Sequence, residues 1–220
     1  MVGEVMQKPL LRGWSHAVSI VPAAAGALAL VASAGENGAL RLSLMVYGSS
    51  LVMLFAVSAS YHLVGWSAAW QRRWRRFDRA TIFVAIAGTY TPVVVGVLGD
   101  WARPATLATI WALAAAGVVL VLSPVPVPRP LSVIAYVGTG WVALAVLPEL
   151  ATRIGPSALA FLLAGGVLYS LGALVYALQR PRLWPRVFGY HELFHLLVIA
   201  ATAVFFTFIA THVVTGAHSA

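Results

Sequence analysis

The chain contains no cysteine, so neither a disulfide framework nor a thiolate metal site is open to it. Charge is also scarce. Only 9% of its 220 residues are charged, against roughly 25% in a soluble domain, which argues against a water-soluble globular protein. With six acidic residues in total, any bound metal must rest on histidine, a few carboxylates and water. Long polar linkers and internal repeats are missing too. One domain over 1–220 is expected, with no room for another.

Apolar residues fill the space, at 61% of the chain. A membrane-crossing helix needs about 20 of them in succession. Seven runs qualify: 14–34, 42–64, 80–98, 105–122, 131–149, 157–178 and 191–214. The expected fold class is therefore all-α: a polytopic membrane protein built as a seven-transmembrane helix bundle. The breaks are short and carry turn formers or charge (GENGALR, GWSAAWQRRWRRFDR, GDWARP, SPVPVPRP, LATRIGP, QRPRLWPRVFGY). Trp66, Trp70, Trp74, Trp101 and Trp184 fall near the predicted ends, as interfacial aromatics do.

The net charge of +8 has no soluble domain on which to present a nucleic-acid-binding face, so no nucleic-acid partner is expected. It reads instead as topology. With the N-terminus in the cytoplasm, Lys8, Arg12, Arg72, Arg73, Arg75, Arg76, Arg79, Arg129, Arg180, Arg182 and Arg186 face inward, and only Arg41, Arg103 and Arg153 face outward. That is eleven of the 14 basic residues. Such a bias predicts a cytoplasmic N-terminus, an outside C-terminus and a multi-pass place in the cell membrane, where the arginines meet anionic headgroups. Lys8 and Arg12 before an apolar run ending in Ala32-Ser33-Ala34 imitate a signal peptide. The run exceeds the 7–15 residues of a signal-peptide core, so it is expected to persist as the first helix.

Against this apolar background HELFH, 191–195, stands out. It puts His191 and His195 on one helix face, four residues apart, where both can grip one ion. Imidazole suits zinc, with copper, iron and nickel as alternatives. Ionisable side chains at membrane depth are costly and mark function. The predicted topology brings more of them to the same layer. Helix two ends there with His62, and Ser58 sits one turn earlier on the same face. Asp78 lies at the entrance of helix three. Three histidines with an open water position form the pattern of a catalytic zinc.

Each element also has a plainer role. His191 and His195 can cap a helix start, and Asp78 can pair with Arg75 or Arg79 or favour a helix N-terminus. Ser58 can bond back to the carbonyl four residues earlier. Glu192 fits a charge in a first helical turn. RRWRRF, 72–77, reads as a topology determinant that can touch lipid headgroups. In GTYTP, 88–92, proline frees a carbonyl that Thr89 or Thr91 can compensate, and Tyr90 can face the bundle interior. His16, His212 and His218 are assigned to no site. HExxH alone would also fit an intramembrane metalloprotease with Glu192 as base. No acidic residue follows Glu192, so a third ligand must come from upstream, and His62 is the best candidate.

Taken together, Ser58-x3-His62, FDRATIFVAIAGTYTP at 77–92 and His191-x3-His195 resemble the hemolysin III family. That family is similar to the adiponectin and progestin receptors and, remotely, to alkaline ceramidases. The resemblance spans nearly the whole chain and implies a zinc site near the cytoplasmic leaflet. His62, His191 and His195 would bind the ion, Asp78 would hold its water, and Ser58 would belong to the same site. It implies a zinc-dependent hydrolase of a lipid amide or ester, with inner-leaflet membrane lipids as substrate or ligand and a link to membrane lipid homeostasis. The alternatives are a receptor or sensor braced by structural zinc, the intramembrane protease, and a channel or transporter, which lacks a polar path across the membrane. A soluble secreted toxin is not expected from these helices.

Overall fold

The structure, a computed structural model, describes residues 9–184 and 186–216; Lys8 and His218 lie outside them. Among the described residues there is no strand, only an isolated bridge between Trp184 and Phe188. Eight α-helices follow one another: α1 Trp14–Ala32, α2 Gly38–Leu63, α3 Ala68–Val97, α4 Ala102–Leu122, α5 Arg129–Gly140, α6 Ala143–Arg153, α7 Pro156–Leu178 and α8 Tyr190–Phe208. The last continues as a π-helical turn, Ile209–Val214. Seven stretches are long and apolar enough to cross a membrane, with α5 and α6 together making the fifth.

Two expected boundaries are corrected. The third helix starts at Ala68 rather than 80. Hydropathy detects only the part at membrane depth, whereas Gln71 and the arginines 72–76 are good helix formers in water. Asp78 therefore lies nearly three turns inside α3, not at its entrance. The fifth run, read as one helix over 131–149, is broken between Gly140 and Ala143.

Backbone released at membrane depth must be satisfied by protein, and Tyr90 does this at the break. Its hydroxyl donates to Gly140 O at 2.6 Å and accepts from Ala143 N–H at 2.7 Å. Trp141 in the gap donates through Nε1 to Ser170 Oγ on α7 at 2.9 Å. Tyr90 thus joins α3 to both half-helices. Thr89 and Thr91 bond back to Ala85 O and Ala87 O. The carbonyl that Pro92 leaves without its amide partner is that of Gly88, so neither threonine replaces that bond.

α3 is the axis, packed against α2, α4, α5 and the π-helical turn. Its approach to α2 depends on Gly88, where an added Cβ would fall 2.1 Å from Ser50 Oγ. Small residues allow such contact where apolar burial alone cannot hold helices together in lipid. α1 lies at the periphery and buries only His16 and Leu30. A largely apolar cavity runs between α3, α5, α6, α7 and α8, with His16 of α1 and Leu54 and Ser58 of α2 also on its wall. It follows α3 from Asp78 to beyond its end at Leu98, about 30 Å of helix rise, close to the thickness of a bilayer core.

Tyr90→Phe should lower thermal stability in detergent by roughly 1 kcal/mol, because it leaves a half-buried N–H and a half-buried C=O without their partner. Amide exchange at Ala143 should speed up. A variant that melts and exchanges as the wild type does would remove the clamp.

Candidate metal centre

The seventh crossing begins at Gly189, the N-cap of α8. Glu192 folds back so that Gly189 N–H donates to its Oε2 at 2.7 Å. Its other oxygen, Oε1, takes the guanidinium of Arg12 in an ion pair. Glu192 is thus a buried structural carboxylate that sets the first turn of α8. It lines a groove between α1 and α8, not the central cavity. With both oxygens engaged outside the cavity, it is not placed to act as the base of an HExxH protease.

This first turn aims His191 and His195 at the end of α2. His191 Nε2 lies 3.1 Å from His62 Nε2, and ligand nitrogens of His62, His191 and His195 all fall within 4.8 Å of one another. Imidazoles at 2.0–2.1 Å from a tetrahedral ion have nitrogens about 3.3 Å apart, so the closest pair already has nearly the spacing an ion would impose. His195 Nδ1 is buried and has no protein hydrogen-bond partner. Three imidazoles gathered in an apolar setting fit a borderline-soft cation. The trio can hold a metal ion.

Asp78 and Ser58 border the same space. Both line the cavity with His191 and His195, while His62 lies outside its lining. Asp78 is not among the close-set metal-ligand atoms, so it stands beside the trio. Ser58 is buried and faces the Asp78 carboxyl. It makes no bond to the carbonyl of Leu54, unlike Ser19, Ser49 and Ser170, which do bond back four residues. Among the described residues the ion pairs are Arg12–Glu192 and Glu149–Arg153. The pairing of Asp78 with Arg75 or Arg79 is therefore not formed.

Two features escaped sequence reasoning. His16, set aside there, stacks on His195 with ring centroids 3.9 Å apart and lines the cavity. A signal was available: the topology that places Asp78 and His191 in one layer also puts His16, in the first turn of α1, at that end. The second feature is a strap before α1. Leu10 and Leu11 donate through their amides to Arg186 O and Val187 O, Arg12 reaches Glu192, and Gly13 lies against His62. At Gly13, φ is +90°, and an added Cβ would fall 2.5 Å from His62 Cβ. The residue must be glycine both for its backbone angle and for its contact. His212 stays apart, near Ser157 at the other end.

With fold and site in view, comparison with known proteins places the chain. A family model described as haemolysin-III related matches residues 5–206, so the chain belongs to that family of multi-pass membrane proteins. It is 25% identical to hemolysin-3 of Bacillus cereus over 205 residues, 92% of this chain and 90% of the relative. To the hemolysin-3 homolog of Bacillus subtilis it is 27% identical, covering 75% and 74%. The monocyte to macrophage differentiation factor of Homo sapiens is 28% identical over 199 residues, 87% of this chain and 78% of that one.

Gly13→Ala should force His62 to shift, lowering stability by roughly 1–3 kcal/mol through overpacking and weakening metal uptake at the trio. Melting curves with and without added zinc would read both effects. Wild-type melting and uptake in the variant would mean that the strap does not bear on His62.

Proposed function

We propose that this protein is a zinc-dependent hydrolase of a lipid amide or ester bond. The observation that carries this is the placement of three histidines and Asp78 at one end of a long apolar cavity in a membrane bundle. An acyl chain can lie along Ile82, Ile86, Val93 and Leu147, which line the cavity. Its carbonyl then meets the polar end. The arginine bias puts that end at the cytoplasmic leaflet, where the substrate would be a membrane lipid. Membrane lipid homeostasis is the corresponding physiological role.

Bound by His62, His191 and His195, zinc would supply a water of pKa near 7 and polarise a carbonyl. The remaining work falls to the chain. Asp78 would accept a proton from the attacking water and return it to the departing amine or alcohol. Ser58, which faces Asp78, would turn its Oγ–H to the carbonyl oxygen as negative charge builds there. The apolar walls keep bulk water from the cleaved bond and hold the chain in register with the two polar groups.

A second function has its own support. The trio joins α2 to α8, two helices whose backbones come close at few points, so the ion would serve chiefly as a brace in a receptor or sensor.

Metal analysis of the purified protein comes first. About one zinc per chain, lost in His191→Ala/His195→Ala, is expected from a three-histidine site. Asp78→Asn should keep the zinc yet lose about 10²–10⁴-fold in lipid hydrolysis, the usual worth of a general acid–base. No metal in the wild type, even with zinc supplied, would sink the hydrolase. Retained zinc and unchanged biological function in Asp78→Asn would favour the brace.

A further inference from the structure

We propose that His16 is a positioning residue of the metal centre, a fourth imidazole that acts through His195. The proposal rests on the three-histidine site binding metal and goes beyond it. His16 is 3% exposed; its ring nitrogens make no close hydrogen bond, and the backbone of His195 is the polar group within their reach. Burying a polar ring without close hydrogen bonds is costly. It is the more notable in α1, whose other buried residue is Leu30. His16 is the buried polar residue of this peripheral helix, and it packs at the metal centre.

Its contact there is specific. The His16 and His195 planes lie 10° from parallel with centroids 3.9 Å apart. His62 and His191 meet His195 at 57° and 61°. His16 is therefore the ring that lies flat on His195. Phe55 backs it from α2 at 5.1 Å. His16 is not one of the trio whose ligand atoms converge, so its effect on an ion would pass through its neighbour.

A metal-binding imidazole is usually oriented by a hydrogen bond from its second nitrogen to a carbonyl or carboxylate. His195 Nδ1 makes no bond of that kind with the protein. The flat face of His16 replaces it, fixing the plane in which His195 presents its ring. The stack also suits the loaded state. An imidazole that donates to a cation becomes electron-poor, and the π-face of a neutral ring attracts it.

Cobalt(II) is the probe, because its visible spectrum reports ligand geometry directly. Wild type, His16→Ala and His16→Phe would be loaded in detergent, with affinity measured by chelator competition and folding by melting of the metal-free forms. His16→Ala should lose about 10–100-fold in affinity, the usual effect of removing an orienting partner, and its cobalt band should shift. His16→Phe, which keeps a flat ring, should restore most of both. Wild-type affinity and spectrum in His16→Ala would overturn the proposal. So would a folded His16→Phe that fails like alanine, since the polar edge would then be what matters. If alanine prevents folding, His16→Leu, which fills the space without a flat ring, takes its place and is expected to fail in the same way. A wild type that takes up no cobalt or zinc would overturn the metal centre itself. Normal loading in both wild type and His16→Ala would overturn only the role of His16.

Discussion

Unpaired polar groups are costly in an apolar slab, and the placement of this molecule's polar side chains follows from that cost. His16, His62, His191, His195, Asp78, Ser58 and Glu192 gather at one end of the bundle, where polar side chains have one another as neighbours. Elsewhere, hydroxyls fold back on their own helices, as Thr89 does to Ala85 O at 2.8 Å. Where regular structure fails, at Trp141 and Val142, a tyrosine from another helix satisfies the backbone on both sides. Bond-back hydroxyls are local solutions; Tyr90 and the histidine cluster are shared ones, and these connect distant parts of the chain.

Much of this was legible in the residues. Continuous apolar runs located seven crossings because length and composition suffice for that. His62, Asp78, His191 and Ser58 could be brought together because alternating crossings fix which ends share a layer. The remainder depended on information that hydropathy lacks. The amphipathic start of α3 looks like a loop because arginine lowers the average without breaking the helix. The gap after Gly140 is apolar on both sides and casts no shadow in the profile. His16 sits on a helix that is hydrophobic all round, so no stripe indicates which side faces inward.

Glu192 shows how one residue pattern can support two chemistries. HExxH written on a soluble helix supplies a base beside the metal. Here the same glutamate closes the helix start on Gly189 and receives Arg12, and the carboxylate that borders the cavity is Asp78 on α3. The histidines keep their spacing, while the carboxylate beside the cavity stands on a different helix. Motif spacing reports which residues share a face; it does not report which way the intervening residue turns.

The ion pair between Arg12 and Glu192 joins positions 180 residues apart. At a synthesis rate of about 5–20 residues per second, the arginine waits roughly 10–35 s for its partner to leave the ribosome. During that interval α1 must stay in the membrane with His16 facing lipid or provisional neighbours. The strap, His62 and the start of α8 can close on one another only once α8 has inserted. The histidine cluster therefore cannot form before that crossing does. A chain halted before α8 would carry His16 and His62 without the two histidines they meet.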